Sequence, residues 1–291
     1  MAADVRPRRS MLYMPGSNPR ALEKGRSLPA DALILDLEDA VAPDAKEAAR
    51  AEIVNALGRG GYAPREVLVR INGLETRWGR ADLAAMATAG ADAVLLPKVE
   101  SADQVRAASI ALADAGAPEG LAIWCMIETP LGVLKVEEIA AADARLAGLV
   151  MGTADLARAL HCRHTADRAP FLTSLSRVVL AARAYGLAAI DGVFLDLDDM
   201  AGLEAECRQG LDLGFDGKSL FHPKTIETAN HVFGPSGAEI EEAWAVIDAF
   251  KAAEAEGKGV VVLNGKLVEN LHVENARRLL ALAEEIERRD G

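Results

Sequence analysis

The segment Leu33-Ile34-Leu35-Asp36-Leu37-Glu38-Asp39-Ala40-Val41 begins with consecutive apolar residues and ends in three carboxylates. Consecutive Leu and Ile residues predict a strand that is covered on both faces, as in a parallel sheet. Asp36 and Glu38 lie two residues apart, so an extended chain places both on one face and Asp39 on the other. Acids at a strand end also cap the following helix in many proteins, and this structural alternative applies above all to Asp39.

The same pattern of an apolar strand followed by a helical segment is repeated along the chain, and two more apolar strands also finish in an acid. The segment above is the second of eight predicted strands. The others lie at residues 9–14, 66–73, 92–98, 121–128, 146–151, 187–190 and 215–219. The strands mostly alternate with helices, which predicts parallel strands joined by right-handed crossovers, and eight such strands predict a closed (β/α)8 barrel. A doubly wound open sheet is the alternative, but no GxGxxG motif follows the first strand.

The chain length of 291 residues accommodates such a barrel and an extension. Barrels of roughly 250 residues form one domain, so residues 1–234 are predicted to be the barrel and residues 235–291 a C-terminal extension. The extension is predicted to contain a helix at 239–256, a hairpin at 260–269 with an Asn-Gly turn, and a final helix at 270–289.

The composition excludes several classes of protein. Hydrophobic residues make up 51% of the chain, which argues against disorder. The net charge of −12 argues against a nucleic acid partner, which requires clustered cations. No segment approaches the ~20 apolar residues of a membrane span, and Met1–Ser10 has no apolar core of a signal peptide. Cys125, Cys162 and Cys207 form no CxxC pair, so reduced thiols in a cytoplasmic protein are expected.

The C-terminal ends of barrel strands meet at one rim, where active sites of this fold are built. Acids crowded at a rim repel one another unless a cation neutralises them, and oxygen ligands without His or Cys indicate Mg²⁺ or Mn²⁺ rather than zinc. An arginine there offers paired donors to a carboxylate or an oxyanion. The rim therefore predicts Mg²⁺-assisted chemistry on an acidic carbonyl compound, the alternative being a barrel whose rim acids are structural. The predicted rim residues are Asp36, Glu38, Asp39, Arg70, Lys98, Glu128, Asp155 and Asp191.

Several short motifs occur in an order that resembles the citrate lyase beta-subunit-like branch of the HpcH/HpaI aldolase family. The resemblance covers nearly the whole chain. Within that family, the stretches at 78–83, 215–218 and 268–272 look like the malyl-CoA thioesterase group. The motifs are Arg9-Ser10-x-Leu12-Tyr13-x-Pro15-Gly16-Ser17, Leu35-Asp36-Leu37-Glu38-Asp39-Ala40-Val41, Arg70-Ile71-Asn72, Leu96-Pro97-Lys98, Ile127-Glu128-Thr129, Gly152-Thr153-Ala154-Asp155-Leu156 and His222-Pro223.

The resemblance implies a role for each matching metal-site residue. Glu128 and Asp155 match the ligands of Mg²⁺, with Mn²⁺ as a possible substitute. Arg70 matches the arginine that stabilises a thioester oxyanion or enolate. Asp36 and Glu38 match acids near the metal that order its waters.

The resemblance also implies how the substrate and a second subunit are bound. Pro15, Gly16, Lys24 and Lys98 fall where the family holds coenzyme A, so an acyl-CoA substrate is expected. The family forms homotrimers or homohexamers in which the C-terminal segment covers a neighbouring subunit's active site, and the same is expected for residues 235–291.

Glu269 departs from the lyases of the family, which usually place an Asp after this Gly-x-hydrophobic-hydrophobic pattern as an acid/base. The Glu side chain is one methylene longer than that of Asp, and displacements of about 1 Å strongly impair a catalytic group. The longer side chain therefore favours activation of a water molecule, and hydrolysis, over carbon–carbon cleavage. The expected reaction is hydrolysis of (3S)-malyl-CoA to malate and free CoA. The alternatives are cleavage of malyl-CoA, citramalyl-CoA or a related ester by a CoA-ester lyase, and a non-enzymatic acyl-CoA-binding oligomer. The residues alone favour an exposed hairpin residue that has no chemistry at Glu269, and it is the resemblance that favours the catalytic role.

Overall fold

The computed structural model describes residues 5–290, so the expectation of no signal peptide at Met1–Ser10 falls partly outside the described residues. The chain forms two compact units. One is Arg8–Asn230, and the other consists of residues 5–7 together with the chain from His231 onwards. No helix within the described range is both long and apolar enough to cross a membrane.

The first unit is a closed barrel of eight parallel strands, as the alternation of elements predicts. Each strand pairs with its neighbours in chain order, and the eighth closes the barrel on the first through the pairs Ser10–Lys218, Met11–Ser219 and Leu12–Leu220. The strands are β1 (Ser10–Pro15), β2 (Ala32–Asp36), β3 (Glu66–Arg70), β4 (Ala93–Leu96), β5 (Ala122–Ile127), β6 (Leu146–Met151), β7 (Ala188–Asp191) and β8 (Gly217–Leu220).

Helices follow the strands, with three departures from the prediction. The sequence at 131–142 predicts one helix, but the structure has two short helices that meet at Lys135. The segments Thr153–Leu160 and Ile226–Phe233, to which the sequence analysis assigns no element, are helical. A short 3₁₀ turn, Pro223–Thr225, precedes α10. The helices are α1 (Pro19–Gly25), α2 (Lys46–Arg59), α3 (Gly79–Met86), α4 (Ala102–Asp114), α5 (Pro130–Leu134), α6 (Val136–Ala140), α7 (Thr153–Leu160), α8 (Leu172–Ala184), α9 (Met200–Leu213) and α10 (Ile226–Phe233).

Inward-facing side chains fill the barrel, so its interior is a packed core rather than a channel. Trp124 is fully buried there, and its ring limits the size of the residue that pairs with it on β6. A Cβ atom at Gly148 would lie 2.4 Å from the Trp124 ring, so only glycine fits opposite it. The other buried members of this core are Met11, Ala32, Ile34, Leu68, Ala93, Leu95, Met126, Val150 and Ile190.

The second unit has its own apolar core and the predicted elements. It contains α11 (Gly237–Ala255), the antiparallel strands β9 (Val261–Leu263) and β10 (Lys266–Val268), and α12 (Asn270–Asp290). The predicted turn connects the strands, with Asn264 and Gly265 both at positive φ (49° and 77°) as a tight hairpin requires. Its core residues are Ala243, Ile247, Phe250, Val268, Val273 and Ala276.

Candidate active site

Asp36 and Arg70 lie side by side at the C-terminal ends of β2 and β3. Nε and Nη2 of Arg70 donate to the two carboxylate oxygens of Asp36 at 2.7 and 2.6 Å, a bidentate pair. The same carboxylate accepts the backbone N–H groups of Glu38 and Ala40. Asp36 therefore orients the arginine and fixes the loop that follows β2. The acids of this loop do not cap the next helix, because α2 begins after Ala45 without a side-chain cap.

Lys46 also holds the loop that follows β2, and the sequence analysis did not identify this role. Its buried ammonium donates to the backbone carbonyl oxygens of Leu37 and Glu38, both at 2.9 Å. A lysine in the first turn of a helix is ordinary in sequence, so no local signal distinguishes it. Its contacts hold Glu38 in place on the rim.

The third nitrogen of Arg70 faces the rim. Nη1 lies 3.0 Å from Oε2 of Glu38 and 3.8 Å from a carboxylate oxygen of Asp39. The Tyr13 ring packs on the guanidinium, with 4.8 Å between the Arg70 Cζ atom and the ring centroid. Asp36 and Tyr13 thus hold Arg70 on two sides, and Nη1, which also donates to Sδ of Met126 at 3.7 Å, is the nitrogen that Asp36 does not engage.

Lys98 connects three carboxylates that come from three different elements. Its ammonium hydrogen-bonds to Oε1 of Glu38 and lies 3.5 Å from Oδ2 of Asp155, in the first turn of α7. Its backbone N–H donates to Oε1 of Glu128 at 2.8 Å. The predicted residues Glu38, Lys98, Glu128 and Asp155 are therefore brought together.

Glu128 is buried directly after β5, at 2% exposure. Burial, with the nearby charge of Glu38, raises the pKa of the Glu128 carboxyl to about 7, against the opposing effect of the hydrogen bond from Lys98. Gly152 is a further residue that sequence reasoning did not single out. A Cβ atom there would lie 2.3 Å from Cβ and 2.5 Å from Oε2 of Glu128, so the carboxylate needs a glycine beside it.

The carboxylate of Glu38, like that of Glu128, has too little positive charge around it to offset its burial. Burial raises the pKa of its carboxyl despite the opposing charges of Arg70 and Lys98. Its Oε2 atom is buried and accepts no hydrogen bond within the described chain, although Nη1 of Arg70 is close. An orphaned buried carboxylate oxygen is costly unless a ligand satisfies it.

We call Asp36, Glu38, Arg70, Lys98, Glu128 and Asp155 the rim cluster. Its donors to a cation are all carboxylate oxygens, which Mg²⁺ prefers, and Mg²⁺ typically takes one or two carboxylates and fills its remaining positions with water or substrate. No group of three or more His, Cys, Asp or Glu residues within 5–290 is arranged to hold a metal by itself. The orphaned Oε2 of Glu38 and the uncompensated burial of Glu128 fit an additional cation at this site.

The residues expected to hold coenzyme A begin at the end of β1, where Pro15 is the last residue. The backbone N–H of Gly16 donates to the carbonyl oxygen of Asp36 at 2.9 Å, and a Cβ atom there would lie 2.7 Å from that oxygen. Gly16 therefore permits a close approach of two loops. Lys24 is exposed in the last turn of α1.

Glu269 lies in the second unit, between β10 and α12. Its backbone N–H donates to Nδ1 of His272 at 3.0 Å, and its carbonyl oxygen accepts the backbone N–H of His272. The carboxylate side chain is partly exposed.

Asp191 is the last residue of β7, as predicted, but it belongs to a separate buried cluster with Lys218, Arg168 and Glu206, which we call the β7–β8 cluster. Lys218 Nζ donates to Asp191 at 2.9 Å and to Glu206 at 2.6 Å, and Arg168 donates to Asp191 at 2.6 Å. Burial alone would raise the pKa of Asp191, but the charges of Lys218 and Arg168 lower it below its usual value. This acid is therefore neutralised within the chain.

The sequence profile of the HpcH/HpaI aldolase/citrate lyase family matches residues 9–223, which include all eight strands of the barrel. The chain belongs to this family.

Relatives in the HpcH/HpaI family match this chain almost end to end. A (3S)-malyl-CoA thioesterase of Cereibacter sphaeroides is 51% identical over 98% of both chains. The citrate lyase subunit beta of Escherichia coli is 38% identical over 96% of this chain and 94% of the relative. The crystal structure of the protein CitE from Mycobacterium tuberculosis, in complex with magnesium, acetoacetate and coenzyme A, has a TM-score of 0.76 at 31% identity and covers 95% of this chain and 98% of that chain. The chain is thus an enzyme of the citrate lyase/HpcH family.

Proposed function

We propose that this protein is a Mg²⁺-dependent hydrolase that converts (3S)-malyl-CoA to malate and free CoA. The observation that carries the proposal is the 51% identity, over 98% of both chains, with a relative named (3S)-malyl-CoA thioesterase. The identity with the citrate lyase subunit beta is lower, at 38%. The rim cluster is consistent with this choice, because it combines oxygen ligands for a hard cation with a fixed arginine.

Glu128 and Asp155 are the residues that would hold the metal in this proposal. When bound, Mg²⁺ supplies Lewis-acid charge beside an oxygen-rich acyl group. Arg70 donates through Nη1, the nitrogen not bonded to Asp36, to the thioester carbonyl oxygen and stabilises the negative charge that develops there. Asp36 and Tyr13 keep the guanidinium in a single orientation, so little reorganisation is needed during the reaction.

Glu269 is the general base in the proposed hydrolysis. It takes a proton from a water molecule as the water oxygen bonds to the thioester carbonyl carbon. The carbon–sulfur bond then breaks, and the CoA sulfur leaves with a proton as the free thiol. Both products retain the oxidation state of the substrate, so no electron donor or acceptor is required.

The base comes from a neighbouring subunit of a homotrimer or homohexamer in this proposal, with residues 235–291 as the segment that covers the neighbour. Val262 and Leu267 support an interface role, because they pair across the hairpin and are 67% and 53% exposed. Exposed apolar pairs of this kind often mark contact surfaces. Pro15, Gly16, Lys24 and Lys98 are the proposed contacts with the CoA portion.

Carbon–carbon cleavage is the second candidate, favoured by the match to the citrate lyase subunit beta. Here Glu269 removes the proton of the substrate hydroxyl, the carbon–carbon bond breaks, and Arg70 stabilises the resulting acetyl-CoA enolate, whose carbon then takes that proton back from Glu269. The products of malyl-CoA are then glyoxylate and acetyl-CoA. Both candidates use one substrate and one rim cluster, so only the products separate them.

The test is incubation of the protein with malyl-CoA and Mg²⁺, with and without EDTA, while free thiol and glyoxylate are followed separately. Hydrolysis predicts thiol without glyoxylate, and its loss in EDTA. Glyoxylate without thiol would overturn the proposed hydrolysis and show that the enzyme is a lyase. Tight binding of malyl-CoA without either product would contradict both and support an acyl-CoA-binding protein.

A further inference from the structure

We propose that Lys98 is a built-in counter-ion of the metal site. Its ammonium holds the rim carboxylates together in the metal-free protein, and a divalent cation displaces this ammonium when it binds. This inference rests on the metal site of the proposed function. It assigns to Lys98 a role that is distinct from a contact with coenzyme A.

The contacts of Lys98 place its ammonium among the carboxylates expected to surround the metal. The ammonium bonds to Glu38 and lies within 3.5 Å of Asp155, one of the two proposed ligands. The backbone N–H of the same residue holds Glu128, the other proposed ligand, at 2.8 Å. One residue therefore contacts all three acids in the metal-free arrangement, although Asp155 also pairs with Arg158 at 2.9 Å.

The backbone of Lys98 shows that this arrangement is imposed by the surrounding structure. Its φ of +49° lies in the left-handed region, which a lysine rarely adopts. Strained positions of this kind persist where neighbouring contacts over-determine them, and they concentrate at functional sites. Here the contacts are the hydrogen bond to Glu128 and the ion pairs of the ammonium.

Lys98 and Arg70 differ in their freedom to move. Arg70 is tied to Asp36 by two hydrogen bonds and packed against Tyr13, and its side chain is 9% exposed. The Lys98 side chain is 37% exposed and ends in a flexible point charge. A divalent cation on Glu128 and Asp155 would repel an ammonium this close. Lys98 can move toward solvent to relieve the repulsion, whereas Arg70 cannot.

The experiment is a calorimetric titration of the metal-free protein with Mg²⁺ alone. We expect Lys98→Met to bind Mg²⁺ more tightly than wild type by about tenfold or more, because a competing charge has been removed. Lys98→Arg should bind more weakly than wild type, since a guanidinium pairs with the carboxylates through more donors. Lys224→Met, which removes the same charge at the exposed pair with Asp198, should bind as wild type does.

The stability of the metal-free variants provides the second measurement. In EDTA, Lys98→Met should have a lower thermal midpoint than wild type, because the carboxylates lose their counter-ion. Mg²⁺ should then raise its midpoint by more than it raises that of wild type. Lys98→Gln is the substitute if the Met variant does not fold.

The outcomes separate this inference from the metal assignment. If Mg²⁺ binds wild type but not Glu128→Gln, and Lys98→Met binds no more tightly than wild type, then the metal site stands and the counter-ion role is overturned. Equal affinity of Lys98→Arg and wild type also overturns it, because a purely structural lysine would be rescued by arginine. Absence of Mg²⁺ binding in wild type and all variants overturns both.

Discussion

The barrel contains two clusters of buried charge that differ in balance. The β7–β8 cluster pairs the two acids Asp191 and Glu206 with the two bases Lys218 and Arg168. The rim cluster sets four carboxylates against Arg70 and Lys98, with exposed Arg158 as an additional partner of Asp155. Asp36, Glu128 and Asp191 all lie at or directly after the C-terminal end of a strand, so this position does not distinguish the two clusters.

The pKa shifts show what the difference in balance means. In the β7–β8 cluster, the pKa of Asp191 is lowered by Lys218 and Arg168 in spite of burial. In the rim cluster, burial prevails and raises the pKa of Glu128 to about 7 and that of Glu38 above its usual value. A carboxylate that the chain neutralises has a structural role, whereas one that the chain leaves short of positive charge can bind a cation. The following experiments test this distinction.

The largest effect is expected for Glu128→Gln, which removes the charge of a proposed metal ligand and keeps its size. Activity on malyl-CoA should fall by about 1,000-fold or more, because metal assistance contributes several kcal/mol. Thermal stability in EDTA should not fall, because a buried and poorly compensated charge is removed. Product formation and thermal unfolding are measured together, with exposed Glu138→Gln as the control. Full activity of Glu128→Gln would contradict the metal assignment.

Asp191→Asn should have the opposite profile. Breaking a buried ion pair leaves Lys218 and Arg168 uncompensated and typically costs about 3–5 kcal/mol in the free energy of unfolding. Urea unfolding measures this loss, and exposed Asp212→Asn on α9 provides the control. If Asp191→Asn unfolds at the wild-type urea concentration, the cluster does not have the structural role assigned to it.

The stability difference between wild type and Asp191→Asn should depend on pH in a defined direction. Because the folded-state pKa of Asp191 is lowered, its contribution is present above the unfolded-state pKa of about 4 and is lost as the pH falls through the folded-state value. The difference should stay constant from about pH 8 to pH 5 and shrink in more acidic buffer. Urea titrations across this range measure it, and a difference that grows on acidification would be inconsistent with the assigned pairing.

Arg70→Lys should impair catalysis while keeping the charge. Lysine cannot reproduce the bidentate pairing with Asp36 or the stacking on Tyr13, so the donor to the thioester oxygen loses its fixed orientation. The expected fall in kcat is about 100- to 1,000-fold, as for the loss of one oxyanion donor. Exposed Arg208→Lys is the matched control. An unchanged kcat would show that catalysis needs only the positive charge of Arg70 and not the fixed geometry of its donors.

The smallest effect is expected for Gly152→Ala. The added Cβ atom would lie 2.3 Å from Cβ of Glu128, so the carboxylate must shift. A displacement of about 1 Å costs on the order of 100-fold in rate. Gly120→Ala has open space around the new atom and should behave as wild type. Kinetics of both variants at saturating Mg²⁺ provide the comparison, and equal rates would mean that the position of Glu128 is not critical.

The sequence predicts the fold well because local patterns determine its elements. The strand at residues 146–151 has the predicted ends. The helix Thr153–Leu160 was not predicted: it begins after Gly152 without a side-chain cap, although Leu156 to Leu160 are good helix formers. The helix predicted at 131–142 is interrupted at Lys135, whose ψ of 14° departs from helical geometry.

The site is only partly predictable, because its contacts join residues that are distant in sequence. Convergence of Asp36, Arg70 and Glu128 at the rim follows from the barrel alone. Lys98 pairs with Glu38 across 60 residues and Asp191 with Lys218 across 27, and no spacing rule predicts either partner. The neutralisation of Asp191 was therefore missed.

The most direct test of the proposed metal site is a structure determined from crystals of the protein soaked in Mn²⁺, with anomalous scattering used to locate the ion. We predict one anomalous peak between the carboxylates of Glu128 and Asp155, none at Asp191, and the ammonium of Lys98 withdrawn from Glu38. A peak elsewhere, or an empty rim cluster at saturating Mn²⁺, would contradict the claim that the unbalanced cluster is the metal site.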